Sequence, residues 1–480
     1  MKNQNDKHVI IIGGGLAGSE AAWQLAERGV KVKLLEMRPA QNTPAHQSAY
    51  LAELVCSNSL KSLQLPSAAA TLKHELAALG SFVLKEALSN RVAAGMALAV
   101  ERESFSAEIT KKVAEHPNID LVYEEVQSLA PFMQDPLVAQ IIVASGPLTS
   151  DALAADIATL LGKDYLAFFD AAAPIVETES LNLNVLVKQS RFDKGEGEYL
   201  NALLSKEQYL ALIDGLTTAE RVILRDFEKR ELFSACQPVE EVARSGVDAL
   251  RYGALKPIGL SNPATGERPY AAIQLRAENK EQSAWNLVGF QTNLTFAAQE
   301  RVFRTIPGLE QASFVRYGVM HRNTFINAPA ALGQEFDIPT VLGLESEAPA
   351  PKVPPEKKIR FAGQITGTEG YTEAIASGLL AALNTYAALT NEAPVVLPRE
   401  STFGALVNYA TSKETKHYQP MHVNYGLMPA LAEKPRGKRE RYKAYSSRAL
   451  AVVESYRDSR EDLAFLPPFA LPRFDSEEER

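Results

Sequence analysis

The sequence predicts an α/β chain: a Rossmann-like parallel sheet that opens with a βαβ unit at the N-terminus and is interrupted by an inserted α+β domain. Three observations predict it. Glycines spaced GxGxxG at 13, 15 and 18 stand between an apolar β-run at 9–12 and a helical apolar face formed by Ala17, Ala21, Ala22, Leu25 and Ala26. A second glycine-rich segment at 361–371 also follows a strand and opens a helix, apolar at Ala374, Ile375, Gly378, Leu379 and Ala382. From about residue 192 to 320 the alternation turns irregular and polar, with strand-like pieces at 270–276 and 286–291, as expected of an insertion.

The elements follow in order. Gly29 can end the first helix in a left-handed conformation. Val30, Val32 and Leu34 then alternate with Lys31 and Lys33 in a second strand, parallel to the first across the helical crossover. Residues 72–88 read as one helix, and 120–126 and 138–144 as further strands of the same sheet. Pro349, Pro351, Pro354 and Pro355 among charges make 345–358 an extended connector, after which 359–362 resumes the sheet. The proline- and charge-rich stretch 467–480 reads as a loose tail. The expected division is therefore 1–190 for the first part of the nucleotide-binding domain and 191–325 for the insertion, which faces the substrate. Residues 326–465 supply the second part and the C-terminal region, and 466–480 the flexible tail.

With 480 residues, 46% of them hydrophobic, the chain can bury the cores of several domain-sized units. Its apolar runs fall well short of the ~20 residues that cross a bilayer. No apolar leader with a cleavage site precedes the first strand, so a cytoplasmic protein without membrane contact is expected. A net charge of −8 argues against a surface that seeks polyanions generally; any nucleic-acid site must be a local patch. The two cysteines, Cys56 and Cys236, are too far apart in the chain for a CxxC pair or zinc knuckle, and the seven histidines show no ligand spacing, so no metal is expected.

The first glycine turn reads as a dinucleotide site. Gly13 permits the tight turn, Gly15 the approach of a pyrophosphate, and Gly18 the close packing of helix on strand. The helix N-terminus, with Gly14, Leu16 and Ala17 at the turn, supplies amides and positive potential to phosphates. Glu36 ends the second strand, where an acid is expected to bond the ribose hydroxyls. The second segment favours FAD over NAD as the resident cofactor. Gly363, Gln364, Gly367, Gly370 and Tyr371, brought beside the first turn, would offer amides to the ribityl chain and isoalloxazine.

Longer strings carry a more specific resemblance. They include Ala52-Glu53-Leu54-Val55-Cys56-Ser57-Asn58-Ser59-Leu60, Ala97-Leu98-Ala99-Val100 with Arg102, Ser145-Gly146-Pro147-Leu148-Thr149-Ser150, and Asp193-Lys194-Gly195-Glu196-Gly197. Val288-Gly289-Phe290-Gln291-Thr292 and Arg316-Tyr317-Gly318-Val319-Met320-His321 follow. In order along nearly the whole chain, they resemble the folate- and FAD-dependent tRNA (uracil-5-)-methyltransferases and, more distantly, the GidA flavoproteins of wobble-uridine modification. The resemblance implies FAD reduced by NADH or NADPH, 5,10-methylenetetrahydrofolate as one-carbon donor, and methylation of C5 of the T-loop uridine, U54, of a tRNA substrate. No obligate protein partner is implied. Uracil C5 becomes nucleophilic once a thiolate adds to C6, so a catalytic cysteine is needed. The resemblance makes Cys236 that nucleophile and puts Cys56 near the flavin as base or transient adduct; the two roles could be exchanged. The family's glycine before and apolar residue after this second cysteine are here Ala235 and Gln237.

Two readings remain open for the basic run Lys434, Arg436, Lys438, Arg439, Arg441 and Lys443 with Tyr442: a solvated helix, or a phosphate contact for RNA. A ribosomal uridine methylated by the same chemistry and a wobble-uridine modification are the alternative functions. A plain flavin oxidase would leave the long strings unexplained, and a disulfide reductase would need a CxxC pair.

Overall fold

The apolar runs that flank the first glycine turn form the centre of a five-stranded parallel sheet. Its strand order is Ile359–Phe361, Val138–Val143, His8–Ile12, Val32–Glu36, Ile119–Tyr123. The structure, a computed structural model, describes residues 7–472 other than 44, 163–165, 172, 194–198, 223–236, 279–281, 319, 340–356, 416–417 and 434, with the backbone alone for 166–171, 193 and 320–323. The expected strands at 120–126, 138–144 and 359–362 are in place to within three residues at their ends. Central strands in such a sheet are covered on both faces, hence their unbroken apolar character. Helix Leu16–Glu27 packs against helix Tyr371–Thr390, whose residues are buried almost all round. The two come so close that a Cβ on Gly378 would lie 2.2 Å from the Ala17 carbonyl oxygen. Glycine there lets the two glycine-rich turns lie side by side.

The inserted unit is built on a six-stranded antiparallel sheet ordered Val187–Lys188, Tyr199–Leu204, Ala271–Ala277, Ala284–Leu287, Ile175–Glu177, Phe314–Arg316. Its separate apolar core runs from Val176 to Ala312 and contains the fully buried Trp285. The unit thus takes in residues before 191, because Ile175–Glu177 pairs with both Ala284–Leu287 and Phe314–Arg316. The strands Leu166–Ala171 and Met320–Phe325, which lead into and out of the insertion, pair antiparallel with each other.

Three local expectations are corrected. Residues 72–88 form two helices, Ala68–Ala78 and Phe82–Ser89, broken at Gly80, whose φ is +71°. The second helix starts where it does because the carboxylate of Glu20, on another helix, accepts hydrogen bonds from the Ser81 hydroxyl and the Phe82 and Val83 amides at 2.9, 3.1 and 2.8 Å. The strand expected at 286–291 ends at Leu287, ahead of Gly289 at φ +82°. Residues 467–472 lie on the core: Leu471 is buried and the Phe469 amide donates to the Ala77 carbonyl at 3.2 Å. The connector at 345–356 and the tail from 473 lie outside the described residues. Among the described residues no helix is long and apolar enough to cross a membrane.

Candidate active site

A cleft of about 950 Å³ opens at the C-terminal ends of the parallel strands, where Val32–Glu36 and Val138–Val143 flank His8–Ile12 on opposite sides. In open α/β sheets this is where ligands bind. Both glycine-rich turns reach it: Gly13, Gly15, Leu16 and Ala17 from the first, Gly363, Gln364 and Tyr371 from the second.

The glycines divide by what a side chain would meet. At Gly13, with φ +100°, a Cβ would lie 2.5 Å from the Ala144 carbonyl oxygen, and at Gly18 it would lie 1.8 Å from that of Gly13. The protein itself requires these two. Gly15 has an ordinary φ of −69°, and a Cβ there would meet nothing within 4 Å. Its bareness leaves room only for an occupant of the cleft, beside the open N-terminus of helix Leu16–Glu27, as a pyrophosphate requires. The residues present fit FAD.

Glu36 also lines the cleft, and its carboxylate is already held. Oε2 accepts from the Gly14 amide at 2.8 Å and Oε1 from the Arg38 side chain at 2.8 Å. Burial alone would raise its pKa, but the hydrogen bond and charge of Arg38 outweigh burial and hold it below the usual range. Arg38 reaches on to Glu53 at 3.3 Å. Gly14, Gly18, Gly367 and Gly370 are not among the residues that line the cleft. Gly367, at φ +78°, would place a Cβ 2.1 Å from the Tyr418 hydroxyl, and Gly370 caps helix Tyr371–Thr390 at φ +116°.

The loop carrying Cys56 ties these parts together. The Ala52 amide donates to the Gly14 carbonyl at 2.9 Å, and the Cys56 and Ser57 amides donate to the Tyr371 hydroxyl at 2.8 and 3.1 Å. Asn58 reaches the inserted unit: Nδ2 donates to the Ala277 carbonyl at 2.9 Å, and Oδ1 accepts from Arg276 Nε at 2.7 Å. The half-buried Cys56 thus sits where both turns and the insertion meet. Arg102 approaches from another side, bonding the Leu54 carbonyl at 2.8 Å and pairing with Glu278 at 2.8 Å. Burial lowers the pKa of Arg276 and of Arg316, the like charge of Arg102 adds to the effect, and Cys56 opposes it. Burial pushes the Tyr371 phenol well above its usual value and Cys56 pushes the same way, against the pull of Arg102.

Cys236 and Lys434 lie outside the described residues, and of His321 only the backbone is described. Trp23 packs, stacked on Phe82 at 4.1 Å. Sequence reasoning missed Arg38 and Arg276. The one signal for Arg276 is a lone arginine in the strand Ala271–Ala277, which is apolar apart from it and Gln274.

Residues 8–393 match the family described as glucose inhibited division protein A. The methylenetetrahydrofolate--tRNA-(uracil-5-)-methyltransferase TrmFO of Heliobacterium modesticaldum is 49% identical over 448 residues, covering 93% of this chain and 97% of the relative. The protein of that name from Geotalea uraniireducens is 50% identical over 450 residues, covering 94% and 98%. Among solved structures, Aquifex aeolicus GidA superposes with a TM-score of 0.65 at 16% identity, over 97% of this chain and 75% of that one, and so shares the fold. With near-half identity over almost the full length of both chains, this chain belongs to the TrmFO family of folate-dependent tRNA methyltransferases, within the glucose inhibited division protein A group of flavoproteins.

Proposed function

We propose that this chain transfers a one-carbon unit from 5,10-methylenetetrahydrofolate to C5 of a tRNA uridine, U54 of the T loop, with NADH or NADPH as reductant. On this reading it acts in the cytoplasm and needs no second protein. The observation that carries the reading is the Cys56 loop, bonded at once to both glycine-rich turns and to the inserted unit.

The backbone of Gly13, Gly15, Leu16 and Ala17 would hold FAD at its pyrophosphate, and Gly363, Gln364 and Tyr371, which line the same cleft, would contact it from the second turn. FAD, when bound and reduced, supplies the electrons that complete the methyl group. Cys236 adds as thiolate to uracil C6, which makes C5 the nucleophile, and leaves again once the C5 proton is removed. Cys56, beside Arg276 and Arg316, is the base at that step. Tyr371, with its phenol kept protonated by burial, fixes the Cys56 backbone through its oxygen.

The test uses the purified chain alone, an unmodified tRNA transcript, methylenetetrahydrofolate and NADH. The expected product is 5-methyluridine in the T loop. Cys236→Ala is expected to lose at least 100-fold in methyl transfer while keeping FAD and its reduction by nicotinamide, because no neighbour replaces a thiolate that forms a covalent bond. A tRNA carrying 5-fluorouracil is expected to trap wild type as a covalent adduct on Cys236. An adduct on Cys56 exchanges the two roles, and a tRNA transcript that gains no 5-methyluridine overturns the tRNA assignment.

A further inference from the structure

A second groove, of about 1070 Å³, lies away from the cofactor cleft. One wall is Ser62, Gln64 and Ser67; the opposite wall is Lys438, Arg439 and Tyr442, at the start of helix Lys438–Asp458.

Three independent features give it one chemistry. The first is charge. Lys438 and Arg439 are exposed, and they and Arg441 form no ion pair among the described residues. The single opposing carboxylate, Glu440, is engaged by Lys443 at 3.1 Å. On a molecule of net charge −8 this is a local patch of opposite sign. The second is the pair of helix N-termini at the walls, that of Ala68–Ala78, capped by Ser67, and that of Lys438–Asp458, capped by Gly437, both of which favour anions. The third is a fixed aromatic face. Tyr442 meets Tyr425 edge-on at 4.9 Å, Tyr425 stacks on Tyr445 at 5.4 Å, and the Tyr425 hydroxyl is tied to Thr71 at 2.8 Å. Cationic side chains beside a rigid aromatic wall are what a nucleic-acid strand recognises.

The groove is also near enough to matter. Gln64 follows Cys56 by eight residues, which at full extension span at most about 29 Å.

We infer that this groove docks the phosphate backbone of the substrate RNA outside the cofactor cleft, so that Lys438 and Arg439 govern how tightly the polynucleotide is held and not how fast the base is methylated. This rests on the reading of the chain as a tRNA methylase.

The test is a comparison of wild type with Lys438→Glu/Arg439→Glu, using an unmodified tRNA transcript titrated from 50 to 200 mM salt. The double variant is expected to raise Kd and KM for tRNA by about tenfold or more, to leave kcat, FAD content and NADH oxidation unchanged, and to flatten the salt dependence by roughly one to two units of slope. Lys438→Gln/Arg439→Gln, which leaves the helix neutral there, is expected to fall between the two. Unchanged tRNA affinity and salt slope in both variants overturn the groove. A wild type that does not methylate tRNA overturns the underlying reading instead, so the two failures are told apart.

Discussion

At the scale of single residues, the glycines of one motif do different work. Gly13 and Gly18 are required by the fold, because a methyl group at either would run into backbone oxygen. Gly15 is required only by what lies in the cleft. Gly15→Val is therefore expected to purify colourless and to fold with a Tm close to that of wild type stripped of FAD. Gly18→Ala is expected to lose about 1–3 kcal/mol of stability from overpacking before any effect on the cofactor is considered. Flavin absorbance and thermal unfolding of the two variants check this; a Gly15→Val protein with stoichiometric FAD would remove the N-terminal site assignment. The spacing made the motif legible, but the division of labour within it was not, since it depends on Ala144 and the Gly13 carbonyl at particular places in space.

At the scale of elements, buried carboxylates decide where helices begin. Glu20 does so for Phe82–Ser89, and Glu75 for Thr402–Thr411, where it accepts from the Thr402 and Phe403 amides at 2.7 and 3.1 Å. Burial raises Glu75 from 4.5 to about 7 despite those bonds. Between those pH values the folded protein holds a proton that the unfolded chain has released, so this group's contribution to stability declines as pH rises through the window. Glu75→Gln lacks the titration. Its Tm is expected to gain on that of wild type between pH 5 and about 7.5, and a difference that stays constant with pH would disprove the shift. Read as a sequence, both glutamates are ordinary helix residues, which is why one helix was expected over 72–88.

At the scale of the whole molecule, two apolar cores are joined by a few polar contacts around the Cys56 loop. Asn58 is fully buried and holds both Arg276 Nε and the Ala277 carbonyl. Asn58→Ala strands both groups, each at about 1–3 kcal/mol. The expected result in calorimetry is a lower and broader unfolding with the two units melting apart, FAD retained, and methyl transfer lost because the insertion no longer sits on the loop. A single transition at the wild-type temperature would show that other contacts hold the units together.

The sequence by itself determined the βαβ unit, the two glycine-rich turns, the presence of an insertion and the family, because each rests on neighbours in the chain: a period of two or 3.6, a spacing of three glycines, a string of adjacent residues. Only the tertiary structure decided that Tyr371 bonds the Cys56 backbone across 315 positions, that Arg276 reaches Asn58 across 218, and that Gly378 lets the two turns meet. Such contacts depend on how distant surfaces close against one another once their apolar faces are buried, and no local pattern in the chain encodes that closure.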